Sequence, residues 1–465
     1  MADRVKKVFV VILILVCFSC SFYKKEGSFS SRPIKWPKYK FESFQIKNGI
    51  KFFLIQNHKL PLIRMIIVIR AGEVQEGLGK EGLFELLSET LKSGGSKKYP
   101  EDKFLLLFEE RGADFDISFD KVSGEISLVC LKEDFYDLLP AVLDLLTEPL
   151  LPEKKLELAK KLLKNRIYQQ KDSPLNIALT EFKKLIYGKN SPYAAKPTPK
   201  SIENIKREDL VSIVKKIFTG KNLMIGLEGD FDRSVITLLK KQFLKLPTGS
   251  LNHIKFSDVK PSFKHRVFFI NKPGLDQATV IMGHLGGFRQ DPNYPAIEVF
   301  NMILSSGFSG KLFQDIRTKR GLVYSIFGRY ECRYFYPGLF FIVFQTANPN
   351  VKKAVVEVKR VLKEIQQTLS EKDIKEAKEI FLNSLVFRYD HPFKILRRRL
   401  FYEYRGMDPD SFEKLISGIK KVNLFQVKKV ANDYIKPDGM TILIVGDKKA
   451  LTSQIKSLNA KELKN

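Results

Sequence analysis

Within GLFELLSETLKSGG, residues 82–95, Glu85 and Glu89 stand four positions apart. On an α-helix that spacing puts both carboxylates on one face, a turn apart. Two carboxylates so placed can hold a hard cation or receive the fork of an arginine. Leu83, Leu86, Leu87 and Leu91 line a second, apolar face that suits burial, and Gly94 and Gly95 provide a stop.

The elements that must carry this helix are strands at 50–56 and 62–70, the second apolar enough to be central, with the helix following over 82–92. DFDISFD (114–120) alternates cleanly and EISLVCL (125–131) is a second strand, so the two predict a hairpin. Residues 134–148, 152–170 and 174–187 read as helices. Strands in a run followed by helices indicate an α+β domain rather than βαβ alternation. The arrangement then recurs. Ile202 and Ile419, Ile205 and Val422, Leu210 and Val427, and Gly229-Asp230 and Gly446-Asp447 all stand 217 positions apart. In each half a helix precedes an apolar strand that stops at Gly-Asp. LIRMIIVIRAG (62–72) and QATVIMGHLGG (277–287) are likewise strands that end in glycine before a helix. We therefore expect two homologous α+β domains in tandem, 41–250 and 262–465, each a mixed or antiparallel sheet packed with helices. The turn-rich LPTGSLNH leads into a linker at 251–261 between them.

Several segments spread over nearly the whole chain carry a resemblance. They are RAGEVQEG before the helix, GLFELLSETLKSGG itself, ERGADFD at 110–116, SPYAAKPTPKSIENI, the EGD strand end, and LFQDIRTKRGLVYS in the second half. In these the chain resembles the insulinase-like (pitrilysin) zinc peptidases, which implies two homologous α+β domains, as the repeat does independently. Active members of that family carry H-x-x-E-H on the helix that starts at Gly82 here. Two histidines a turn apart grip zinc, and the glutamate between them takes a proton from the zinc-bound water. By this resemblance Glu85 and Glu89 occupy the histidine positions and Ser88 the general-base position. The third ligand, a glutamate about 77 residues past the second histidine, falls on Arg166, whose guanidinium cannot be deprotonated and cannot ligate zinc. Ser88 cannot act as a base near neutral pH without an activating partner. None of His58, His253, His265, His284 and His391 lies within metal-like spacing of another. The expectation is a degenerate zinc site without metal, in which Glu85, Glu89 and Arg166 form an ion-pair cluster.

LFQDIRTKRGLVYS holds Arg317 and Tyr324, seven apart, after the glycine- and serine-rich turn SSGFSGKLF. In the resembled family an arginine and a tyrosine at this spacing reach across to the zinc site, bind the substrate backbone and steady the oxyanion of the tetrahedral intermediate. An arginine fork and a phenol supply donors suited to developing negative charge. A basic surface turn before a strand would look similar. Some bacterial members are heterodimers in which one chain brings zinc and the other the arginine and tyrosine. The resemblance thus implies a non-catalytic subunit supplying Arg317 and Tyr324 in trans to a zinc-bearing paralogous chain that degrades peptides. The alternatives are a scaffold or peptide-binding subunit, or a stand-alone metallopeptidase.

The remaining features concern location and partners. The chain has 465 residues and a formal net charge of +28, with basic residues scattered throughout. Such a balance favours acidic partners, an anionic membrane surface or simply a solvated surface. No nucleic-acid-binding motif is present, so nucleic acid is not an expected partner. MADRVKK, the apolar VFVVILILV and CFSC form a signal-peptide pattern over 1–19 rather than a membrane span. Cys20 after Ser19 resembles a bacterial lipoprotein signal, with Cys20 the lipidated first residue and 20–40 a polar tether. Plain secretion and an uncleaved anchor are the other readings. Ser21 is not the aspartate that retains some lipoproteins in the inner membrane, which points to a periplasm-facing anchor in the outer one. Beyond the leader and Cys20, only Cys130 and Cys332 remain, one per half, which is no disulfide framework.

Overall fold

The structure, a computed structural model, describes residues 39–463; the leader, Cys20 and nearly all of the tether lie outside the described residues. No helix among the described residues is long and apolar enough to cross a membrane. The strands of the first half are β1 (Glu42–Gln45), β2 (Lys51–Gln56), β3 (Leu62–Ile69), β4 (Asp114–Phe119), β5 (Gly124–Leu131) and β6 (Leu223–Gly229). Those of the second are β7 (Arg266–Asn271), β8 (Gln277–Leu285), β9 (Gly287–Phe288), β10 (Ser325–Tyr330), β11 (Cys332–Arg333), β12 (Leu339–Ala347), β13 (Thr441–Gly446) and β14 (Lys461–Glu462). The two main sheets run β1-β2-β6-β3-β5-β4 and β10-β12-β8-β13-β7-β14. Five strands correspond in order, β2-β6-β3-β5-β4 to β7-β13-β8-β12-β10. The pairing senses agree too, parallel between β2 and β6 and between β7 and β13, antiparallel elsewhere. The chain is therefore two copies of one α+β domain.

Alternation along the strands decides how each sheet is covered. On β3, Ile63, Met65, Ile67 and Ile69 face a core built with Leu83, Leu86, Leu87 and Leu91 of helix Leu83–Gly94. Ile66 and Val68 point the other way. Both faces are dry, which is why the strand reads as an unbroken apolar run apart from Arg64. Gly229 ends β6 where a Cβ would fall 2.0 Å from the Leu62 carbonyl oxygen, so the repeated Gly-Asp marks a steric requirement.

The second face of each sheet is covered by a helix from the opposite half. Helix Pro174–Tyr187 sets Ile177, Ala178 and Phe182 against Ile270, Ile281, Leu443 and Val445 of the second sheet. Helix Pro392–Tyr404 sets Leu396, Leu400 and Tyr404 against Phe53, Ile55, Ile66, Val68 and Met224 of the first. Shifted by the 217-residue offset, the first helix falls on the second, so the repeat exchanges equivalent elements. Polar contacts follow the same path. Arg397 grips both oxygens of Glu125, Oε1 at 3.2 Å and Oε2 at 2.6 Å, and the Tyr187 hydroxyl donates to the Pro337 carbonyl at 2.8 Å. The residues at 251–261 form no regular element, yet they are pinned. Asn252, 4% exposed, donates from Nδ2 to the Arg70 carbonyl at 2.6 Å, and Tyr193 donates to the Ser257 carbonyl at 2.8 Å.

Because these interfaces are built like cores, neither half is expected to melt alone. Leu400→Ala should lower stability by about 2–5 kcal/mol, as a buried leucine truncation does, and should shift one common transition. Urea unfolding followed by far-UV circular dichroism checks this; two separated transitions in the native protein would overturn it.

Candidate functional site

Helix Leu83–Gly94, on which the resemblance would place two of the metal ligands, is anchored at its start. Gly82 adopts φ 103°, left-handed backbone that glycine takes without strain. Just upstream, the Glu76 carboxylate accepts hydrogen bonds from the backbone N–H groups of Gly82 at 3.1 Å and Phe84 at 2.9 Å. Burial raises the Glu76 carboxyl to about 7, outweighing those two donors. Glu76 lies in RAGEVQEG, six residues before the helix turn, and nothing in its spacing to apolar residues marks it as a cap.

On the outward face, Arg166 of helix Glu153–Gln170 donates through Nη1 to Glu85 Oε1. Burial pushes the Glu85 carboxyl up, while Arg166 pulls it back down. The expected cluster of three resolves differently. Glu89 pairs with Lys92 at 3.6 Å, and Lys92 also reaches Asp116 of β4 at 3.0 Å. Lys92, one turn along the same helix, takes the role assigned to Arg166, because an i,i+3 partner needs no tertiary alignment. Ser88 is 5% exposed, and its hydroxyl donates to the Phe84 carbonyl at 3.0 Å. These donors do not fit zinc: one carboxylate is neutralised by a guanidinium, the other by an ammonium, and the hydroxyl is turned back onto its helix. No group of three or more His, Cys, Asp or Glu side chains placed to hold a metal ion occurs among the described residues. His284 is buried on β8 between the Leu285 carbonyl and the Lys436 N–H, and burial takes it down to about 4, so it stays neutral. Burial likewise pushes the Cys130 and Cys332 thiols up to about 12, which keeps them protonated and unreactive.

The second half builds a different constellation. Helix Tyr294–Ser305 ends in the turn Gly307–Ser309, after which Phe313–Lys319 winds as a π-helical segment, a form frequent at functional sites. Arg317 projects from it with its guanidinium 4.7 Å from the centre of the Phe313 ring and 5.6 Å from that of Tyr324. Tyr324 is 69% exposed and Phe308, edge-on to Phe313 at 5.0 Å, is 75% exposed. The acids nearby are already engaged. Asp315 takes Arg360 at 3.1 Å and Lys319 at 3.6 Å, and Glu357 takes Arg320 at 2.9 Å and Arg360 at 2.6 Å. Among the described residues Arg317 has no acidic partner and no hydrogen-bond acceptor. The structure thus brings Arg317 and Tyr324 together with the exposed Phe308 and the half-buried Phe313. No hydrogen bond, ion pair or ring contact joins this group to Glu85, Ser88, Glu89 or Arg166 among the described residues. Phe313 escaped the sequence reading, although it stands one helical turn before Arg317.

Comparison with known proteins agrees with this geometry. Residues 51–192 match the Insulinase (Peptidase family M16) domain and residues 204–381 the Peptidase M16 inactive domain. The chain belongs to the insulinase family, peptidase family M16. It is 24% identical over 404 residues to a Helicobacter pylori protein named non-peptidase homolog YmxG, covering 85% of this chain and 91% of that one. In fold it is similar to a peptidase M16 inactive domain from Pseudomonas fluorescens, with a TM-score of 0.79 at 24% identity, covering 88% of this chain and 98% of that one. A protease from Helicobacter pylori superposes with a TM-score of 0.77 at 18% identity over 88% of this chain and all of the other.

Glu76 gives a pH dependence whose sign is fixed. Folded Glu76 holds its proton up to about pH 7 against an ordinary value of 4.5, so the native state binds that proton more tightly than the unfolded chain does. Its contribution is therefore full below 4.5, falls as pH rises to about 7 and is constant above. Glu76→Gln should flatten that slope, measured as urea midpoints at pH 5 and pH 7.5. Identical pH slopes in variant and parent would refute the assignment.

Proposed function

We propose that this protein is the zinc-free subunit of a two-chain cell-envelope peptidase, offering Arg317 and Tyr324 to a zinc-bearing sister chain. The observation that carries the reading is Arg317 itself. A half-buried guanidinium held between two aromatic rings, with its neighbouring acids already engaged, is a preorganised donor awaiting an acceptor. A peptide carbonyl that gathers negative charge during attack is such an acceptor. Two N–H groups of the fork and the Tyr324 phenol would hold it, and the exposed Phe308 with the half-buried Phe313 offers an apolar bed for a substrate side chain. Zinc in the sister chain would supply the activated water. The first half of this chain would contribute shape alone, since Glu85 and Glu89 are spent on Arg166 and Lys92. The printed names of the relatives, non-peptidase and inactive, support a non-catalytic chain. A lipid on Cys20, with 20–40 as tether, would keep the pair at the membrane, facing the periplasm.

Co-expression of this chain with an H-x-x-E-H paralogue is expected to give peptidase activity that neither shows alone. Arg317→Ala should then lower kcat on the order of 10²-fold, the usual loss of an oxyanion donor, while the complex stays intact by size exclusion. Unchanged turnover would sink the proposal and leave a scaffold role.

A further inference from the structure

The second half holds another set of arginines, away from Arg317. Arg289 follows β9, Tyr334 follows β11, and Arg398 and Arg405 belong to the exchanged helix Pro392–Tyr404 and its end. The Arg289 guanidinium lies 3.7 Å from the centre of the Tyr294 ring and 5.9 Å from that of Tyr334. Arg405 approaches the same Tyr334 ring at 4.6 Å. Arg398, two turns back along the helix, stacks on Tyr389 at 3.9 Å. All three side chains are half-buried. None of the three guanidiniums is in an ion pair or hydrogen bond among the described residues, and the Arg405 Nε is buried without any hydrogen-bond partner.

Want of acids does not explain this. On the same helix Arg397 finds Glu125 at 2.6 Å and Arg399 finds Glu403 at 3.7 Å. The carboxylates nearer the trio are committed elsewhere. Asp291 accepts from the Tyr434 hydroxyl and the Asn293 N–H, both at 2.8 Å. Asp120 accepts at Oδ1 from the Val122 and Ser123 N–H groups at 2.7 and 2.6 Å. Nor does the net charge of +28 explain it. Excess charge costs little on exposed lysines, where water and salt screen it. Gathering three half-buried guanidiniums, two of them against one aromatic ring, does cost, unless a counter-anion joins them. Burial holds the Arg398 and Arg405 guanidiniums below the usual arginine range, and Arg289 lowers both further.

We infer that Arg289, Arg398 and Arg405 form a binding site for a multivalent oxyanion, a ligand with two or more phosphate or carboxylate groups, with Tyr334 between two of the forks. Planar guanidinium forks match both kinds of oxyanion two bonds at a time. Rings hold the cations in place before the ligand arrives, so little side-chain entropy is lost on binding.

Isothermal titration of the full chain with pyrophosphate and, separately, with citrate tests this, against sodium chloride at matched ionic strength. Saturable binding of one equivalent of either is expected. Pyrophosphate alone would identify phosphate as the ligand group, citrate alone carboxylate, and both a site that reads charge. The double variant R289A/R405A should weaken binding at least about 10-fold, since two charge-assisted contacts are lost. R289K/R405K keeps charge without the fork and should bind between the two, which guards against a fold defect in the alanine pair. Lys372→Ala, an exposed change elsewhere, should leave affinity unaltered. Absence of saturable binding by both anions, or equal affinity in parent and R289K/R405K, would overturn the inference.

Discussion

Each half of this chain has more apolar sheet surface than its own helices can cover, and the exchange of one helix between halves follows from that shortage. Ile66 and Val68 on one sheet, and Ile281 and Val445 on the other, would face water in an isolated domain. At about 25 cal/mol for each Å² of apolar surface removed from water, leaving such a face open is prohibitive for a marginally stable domain. Helices Pro174–Tyr187 and Pro392–Tyr404 close both faces at once, and the link between halves becomes a pair of cores rather than a hinge. The pinned Asn252 and the Arg397–Glu125 fork then fix the relative position of elements far apart in the chain.

That rigidity gives the charged side chains their different meanings. Arg166, Arg317 and Arg405 share one chemistry. Arg166 meets Glu85 and becomes a structural pair. Asp315, two residues before Arg317, is already taken by other cations, so the Arg317 donors stay available. Arg405 meets aromatic rings and another guanidinium. A guanidinium cannot shed its proton to escape an unsuitable site, so its role is set by which acceptors the fold leaves within reach.

Much of this architecture was legible beforehand. The alternating and continuous apolar runs marked the strands, and the 217-residue register of Gly229 with Gly446 marked the repeat, because each reflects a local steric demand. The helix Leu83–Gly94 and the partnership of Glu85 with Arg166 were legible too, the latter only through a family motif. Glu76 was not, since a carboxylate that caps a helix from six residues upstream has no periodic signature. Glu89 went to Lys92 because neighbours on one helix compete for a partner, and the winner depends on rotamers that spacing does not specify.

By itself the amino-acid order determined the two α+β units, the placing of Glu85 and Glu89 on one helical face, and the presence of an arginine and a tyrosine seven apart. Those are properties of residue type and local period. Only the tertiary structure decided that each unit lends a helix to the other, that Arg317 stands beside Phe313 and Tyr324 with no acidic partner among the described residues, and that Arg289 and Arg405 meet at the Tyr334 ring. Such outcomes depend on which long-range neighbours capture each charge first, and that competition is settled by packing.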